Sequence, residues 1–298
     1  MHAKTVGPSG HRGVALIIVL WVIVVLTIMA ASFSTTMRRE ATLTANIKAQ
    51  SRAGALAEAG VYYAMLMLLL NDPEQRWGVD GAVREFDFSG AKMKVRVIAE
   101  TGKIDLNYAD QGTLVKMFES VDVDEVKAVE LADAILDWRD KNDLHRVNGA
   151  EQSEYEAEGK DYGPRNAPFE TIEELQLVLG MDADIYTSIE DMITIYSKKT
   201  KVDLKKAPFK VLRVFIDEQE LLDNSENNDD SDKPKESVKE GVAYGFYSQA
   251  TLPDDNTGRI LVVARRQKKS TRGFSVLRWK NVVADDSLFA EQLDEQPE

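Results

Sequence analysis

The sequence predicts an α+β protein. One long N-terminal helix, membrane-spanning in its first part, packs on an antiparallel sheet that a large α-helical subdomain interrupts. Three observations predict this. No charged residue lies between Arg12 and Arg38, and about 20 apolar residues suffice to cross a bilayer as a helix. Strand-like alternation occurs in two separate blocks, before position 100 and after position 240. The residues between the blocks carry helix caps and helical spacing instead.

Gly13-Val14-Ala15-Leu16-Ile17-Ile18-Val19-Leu20-Trp21 opens the apolar run, which continues to Phe33. A polar leader with His2, Lys4, His11 and Arg12 ends in Gly13, directly before that run. A secretory signal would place its small cleavable residues after the run. The layout resembles a type IV pilin-like leader, which a prepilin peptidase cuts between glycine and the next residue, here Gly13 and Val14. An uncleaved anchor, or a Sec-type cut at Ala30-Ala31-Ser32, remains open on these residues alone.

After Phe33 no proline occurs before Pro73, and helix formers abound, so the helix is expected to run to about Leu70. At 1.5 Å per residue it is about 85 Å long. Leu43, Ile47, Gly54, Ala57, Val61, Ala64 and Leu68 recur at three- and four-residue steps and mark one face to be covered by a sheet or a neighbouring helix. Asn71-Asp72-Pro73 ends the helix. Val83–Phe88 and Lys92–Ala99 then alternate around the Ser89-Gly90 turn, predicting a hairpin with one buried face.

From Thr101 helices are expected. Asp124–Trp138 places Val129, Leu131, Ala132, Ile135 and Trp138 on one stripe, and Thr171-Ile172-Glu173-Glu174 is a capping box for a helix ending at Gly180. Lys103-Ile104-Asp105-Leu106 and Lys201-Val202-Asp203-Leu204 echo one another. Such elements resemble helix-hairpin-helix grips on nucleic-acid phosphates. Positions 101–200 hold 10 basic against 23 acidic residues, the wrong sign for phosphate, so helix-entry packing is the better account and no nucleic acid is expected. A helix over Val202–Leu222 with Pro208 in its first turn follows. Asp223–Glu240 is too polar to order itself. Strands resume at Gly241–Leu252, Arg259–Ala264 and Gly273–Trp279. The expected divisions are a leader (1–13), the transmembrane and N-terminal helix (14–70), the first sheet block (71–100), the inserted helical subdomain (101–217), a flexible acidic loop (218–240), the second sheet block (241–284) and an acidic tail (285–298).

The chemistry concentrates in Asp137-Trp138-Arg139-Asp140-Lys141-Asn142-Asp143 and Gly149-Ala150-Glu151-Gln152-Ser153-Glu154-Tyr155. Side-chain oxygens at this density are what a hard cation such as calcium selects. Asp140, Asn142 and Glu151 match positions 1, 3 and 12 of an EF-hand count, but Leu144 and His145 stand where an oxygen ligand and a glycine belong, so this is no EF-hand. A solvated acidic loop accounts for the composition equally well, and lone His145 is expected on the surface. No nucleophile–base–orienter set, phosphate loop or zinc spacing is present, which disfavours catalysis. The absence of cysteine indicates no redox compartment. The formal charge of −13 disfavours adhesion to anionic lipid or nucleic acid.

Taken together, the leader and helix, the early strands, the insertion with its Asp137-Trp138 and Gly149-Ala150-Glu151 segments, and the returning strands resemble the GspK-type minor pseudopilins of bacterial type II secretion over nearly the whole chain. Ile18 is the fifth mature residue if cleavage follows Gly13; most pilin-like proteins carry glutamate there, and this family is apolar. Asp203-Leu204-Lys205-Lys206 departs from the family's asparagine-rich turn, and the acidic 223–240 segment is long. The resemblance implies a pilin-like fold and a non-enzymatic role at the tip of a periplasmic pseudopilus. It implies partners of the GspI, GspJ and GspH types, the major pseudopilin and the prepilin peptidase, with the anchor in the inner membrane. It also implies calcium in the insertion, for which Asp137, Asp140, Asn142, Glu151 and Glu154 are the candidate ligands. A pilin-like component of a type IV pilus or DNA-uptake machine, and a membrane-anchored enzyme using the carboxylates, are the alternatives.

Overall fold

The computed structural model describes residues 12–216, 237–270, 273–282 and 289. Most of the expected leader, most of the acidic 218–240 loop and nearly all of the 285–298 tail lie outside the described residues. Two compact units follow one another, Met1–Arg52 and Ala53–Glu298.

In the first unit the chain is helical from Arg12, within helix α1 (Arg12–Leu68). Its most apolar window has a mean hydropathy of 2.9 and buries none of its surface in the protein. By length and composition it can cross a membrane. Thr27 Oγ1 donates to the Ile23 carbonyl at 2.7 Å, so that hydroxyl makes no demand on lipid. Among the described residues it is the one helix with that length and composition.

In the second unit the end of α1 buries Ala53, Leu56, Ala57, Val61, Ala64, Met65 and Leu68. Of the expected stripe, Ala57, Val61, Ala64 and Leu68 are buried here. Leu43, Ile47 and Gly54 are exposed, because periodicity marks a face that needs a cover without supplying one. The sheet against α1 has five antiparallel strands in the order β1-β2-β5-β6-β7. They are β1 (Val83–Phe88), β2 (Ala91–Ala99), β5 (Ala243–Thr251), β6 (Thr257–Arg266) and β7 (Phe274–Asn281). Ser89 and Gly90 both take positive φ, 51° and 78°, as a tight hairpin turn requires. Met93, Val95 and Val97 alternate inward on β2. Helix and sheet approach closely where side chains are small. A Cβ on Gly60 would lie 2.3 Å from Ser248 Oγ, and one on Gly258 would lie 2.4 Å from the Ala53 carbonyl carbon.

Everything from Glu100 to Val242 is inserted between the neighbouring strands β2 and β5. In order come β3 (Ile104–Asp105), α2 (Gln111–Glu119), α3 (Glu125–Arg139), α4 (Gln152–Ala157), α5 (Ala183–Ile189), β4 (Ile193–Thr194) and α6 (Phe209–Phe215). Asp110, Asp124 and Asp182 cap α2, α3 and α5 by accepting from backbone N–H groups at 2.8, 3.2 and 2.8 Å. Leu114, Phe118, Leu131, Ile135, Tyr155 and Leu175 centre a separate core for the insertion.

Several local expectations change. The Thr171–Glu174 capping box forms, but it opens a 3-10 turn (Ile172–Leu177) rather than a helix reaching Gly180. The last helix is α6, with Pro208 as its N-cap rather than inside its first turn; positions 217–222 of the expected helix lie outside the described residues. The two echo segments differ in structure. One enters β3, which pairs in parallel with β4, and the other forms a 3-10 turn (Leu204–Lys206). They meet where the chain leaves the sheet: Asp203 N donates to the Thr101 carbonyl at 2.8 Å, and a Cβ on Gly102 would lie 2.1 Å from the Lys206 carbonyl oxygen.

Candidate metal centre

The Asp-Trp and Gly-Ala-Glu segments are brought together by an aromatic cluster. Trp138 stacks on Phe169 and tilts against Tyr155, with ring centroids 6.1 Å apart in both pairs. The Tyr155 hydroxyl accepts from Leu179 N at 2.9 Å. Large rigid rings contribute most of their burial at such a junction, and they fix the end of α3 beside the start of α4.

Asp137 lies in the last turn of α3 and is fully buried, and Asp140 is the helix C-cap. Both carboxylates face the negative end of the helix dipole, where a cation is favoured and an anion is not. The cation present is Arg146. One guanidinium nitrogen donates to Asp137 Oδ1 and also to Asp140 Oδ2, the latter at 2.8 Å. The backbone N of the same residue donates to Asp137 Oδ2 at 3.0 Å. Gly149 makes this closure possible, since a Cβ there would lie 1.9 Å from Asp137 Oδ2.

Glu151, at the N-cap of α4, is 5% exposed, and its Oε1 has no hydrogen-bond partner among the described residues. Burial, then the charges of Asp137, Asp140, Asp143 and Glu154, push its carboxyl up to about 7. Of the candidate ligands, Asp137 and Asp140 share the Arg146 guanidinium, while Glu151 Oε1 stands without a partner. The other two candidate ligands are turned to local duties. Asn142 donates its side-chain amide to Asp140 Oδ1 at 2.7 Å and accepts from Leu144 N at 3.0 Å. Glu154 Oε2 accepts from Glu151 N at 2.9 Å, capping α4. His145 is exposed.

The donors are all hard oxygens, and the buried unpartnered Glu151 Oε1 is an acceptor in want of a cation, which suits calcium. Yet among the described residues no three acidic side chains stand together closely enough to hold an ion as they are. Arg146, between Asp137 and Asp140, is the functional residue that sequence reasoning missed. A lone arginine in the turn between two carboxylate runs was the available signal.

A family model described as type II secretion system protein K matches residues 93–198. That segment begins inside β2 and contains the whole candidate centre. That part of the chain is similar to type II secretion protein K. Curated relatives called type II secretion system protein K include those of Klebsiella pneumoniae, 24% identical over 211 residues, and Aeromonas hydrophila, 29% identical over 211 residues. The alignments cover 64% and 61% of this chain, and the chain spans 64% and 63% of those relatives' lengths. Among solved structures, a chain of the GspK-GspI-GspJ complex from enterotoxigenic Escherichia coli matches with a TM-score of 0.54 and 17% identity, over 83% of this chain and 99% of that one. The fold expected from the sequence is the one observed: a long apolar helix, an antiparallel sheet and a helical insert.

Proposed function

We propose that the chain is a minor pseudopilin at the tip of the type II secretion pseudopilus. It takes part in assembly of that filament and in export of folded proteins across the outer membrane, as a structural component rather than an enzyme. The observation that carries this reading is the protein K domain lodged between β2 and β5 of a sheet that follows a single apolar N-terminal helix. Ile18 supports the tip position. A buried glutamate at the fifth mature position needs a partner, because an unpaired charge in a membrane or filament core is costly; an isoleucine makes no such demand, so no subunit is needed ahead of it. Leu43 and Ile47, 60% and 59% exposed, offer apolar surface to another helix. The partners are other minor pseudopilins of the GspI, GspJ and GspH types, the major pseudopilin, and the prepilin peptidase that cuts between Gly13 and Val14. Mass spectrometry of protein from its own host should find Val14 as the mature terminus; a terminus at Ala31 or Ser32 would overturn the pilin-like processing.

The same reading includes calcium as a structural ion in the insertion, with Asp137, Asp140 and Glu151 as its core ligands and Asn142 and Glu154 as further candidates. When bound it would neutralise carboxylates that otherwise repel one another at the end of α3. An ion present at 100 times its dissociation constant stabilises by about 2.7 kcal/mol, which corresponds to a rise in Tm of about 5–10 °C for a domain of this size. Melting with millimolar calcium against chelator should show that rise in the parent and a much smaller one in Glu151→Ala. Identical curves in calcium and chelator would remove the ion from the account.

A further inference from the structure

We propose that the helical insertion is hinged on the sheet, with a buried pivot at Glu100 and Lys103 and a charged latch, Arg278 and Lys280 of β7 against Glu173 and Glu190, that ionic strength opens. The proposal goes beyond the functional reading above and does not depend on it. Three observations carry it. The two lobes do not share the insertion's core: every residue of that apolar cluster lies between Ile104 and Phe215, and none comes from the five strands. The seam between the lobes has two unlike ends. At one, where the chain leaves β2, Glu100 and Lys103 are buried, and the Lys103 ammonium donates to Tyr247 Oη of β5 at 2.8 Å. At the other, Arg278 donates to Glu173, while Lys280 lies 3.8 Å from Glu173 and 3.7 Å from Glu190; Lys280 and Glu173 are 40% and 41% exposed. Lastly, a cavity of about 330 Å³ touches both ends, and its walls include Leu261 and Val263 of β6 and Ile172 and Ile193 of the insertion. Apolar side chains of both lobes line a void there. Two lobes joined by a polar contact are expected to move relative to one another unless that contact is large and apolar. Parting the buried end would strip a buried charge pair, which is costly; pairs that are half exposed contribute little and are screened by salt. Opening therefore starts at Glu173 and Glu190 and turns about Glu100 and Lys103.

The chain has no cysteine, so Lys92→Cys on β2 and Gln176→Cys on the insertion, both at exposed positions, place one spin label on each lobe. Double electron–electron resonance on the full chain in detergent micelles then reads the distance between them. Sodium chloride at about 0.01 M and about 1 M is the probe, since it shortens the screening length from about 30 Å to about 3 Å. The distance distribution should be narrow at low salt and about twice as wide at high salt, as the exposed pairs lose their attraction. Glu173→Lys should widen it already at low salt with little change in Tm. Glu173→Arg combined with Arg278→Glu reverses the pair and should narrow it again, which a merely disrupted seam would not do. A width that salt leaves unchanged overturns the hinge. A Glu173→Lys width equal to the parent's, or a widening that the reversed pair does not undo, removes these side chains as the latch and the proposal with them. If Glu173→Lys does not fold, the salt series on the labelled parent decides alone.

Discussion

Lys103→Met should cost about 3–5 kcal/mol, the usual penalty for stripping one partner from a buried ion pair. It should lower Tm by on the order of 10 °C. Lys103 and Glu100 are 6% and 1% exposed, and they sit where the chain leaves β2 for the insertion. The ammonium donates to Tyr247 Oη at 2.8 Å and lies 3.6 Å from Glu100 Oε1. Glu100 Oε2 accepts from the Thr194 hydroxyl of β4, tying the sheet to the insertion. Burial alone would lower the Lys103 pKa, but Glu100 and then Tyr247 outweigh it and hold it above the usual lysine value, so the group is charged at neutral pH. Glu100 Oε1 accepts no hydrogen bond among the described residues, so without Lys103 it becomes an uncompensated buried charge. Adding Glu100→Gln to Lys103→Met should recover much of the loss, because replacing both charges is far milder than removing one. Thermal melts of the two single variants and the double variant measure this coupling, and additive losses would show that the pair is not a unit.

Gly258→Val should be of similar size, about 3 kcal/mol or more, for a different reason. The added Cβ would overlap the backbone of α1, at 2.4 Å from the Ala53 carbonyl carbon and 2.5 Å from Gly54 N. Backbone cannot swing aside as a flexible side chain can, so helix and sheet must separate and their buried layer opens. Gly54→Ala is the matching control, since nothing lies within 4 Å of a Cβ there; it should be neutral or slightly stabilising in a helix. Denaturant titrations compare them, and a Gly258→Val protein as stable as the parent would contradict the close packing described.

What was legible in the sequence follows local chemistry. The Ser89-Gly90 hairpin, the aspartate-capped α3 and the three returning strands announce themselves through alternation, caps and turns that act within a few residues. The long helix was legible through its missing prolines, and the aromatic clamp on the Asp-Trp segment partly through Trp138. The rest depends on partners distant in the chain. Nothing local marks Glu100 and Lys103 as buried, since β4 and Tyr247, which cover them, are distant in the chain. Gly258 reads as a turn residue, although what requires it is Ala53, some two hundred positions earlier. Leu43 and Ile47 signal a face without saying what covers it. In the centre, the oxygen-rich segments were visible, but the division of labour was not. Asn142 and Glu154 serve the backbone, and Arg146 occupies a place that a ligand count assigns to an ion.

As the proposed minor pseudopilin, this chain is expected to work as one subunit of a complex. Co-expression of the full chain with the minor pseudopilins of its own operon, followed by purification through a tag on this chain alone, tests it most directly. The expected result is a stoichiometric complex in which the partners carry the fifth-position glutamate, and loss or displacement of this chain within it for Ile18→Glu. Elution of this chain alone, with none of those pseudopilins retained, would contradict it.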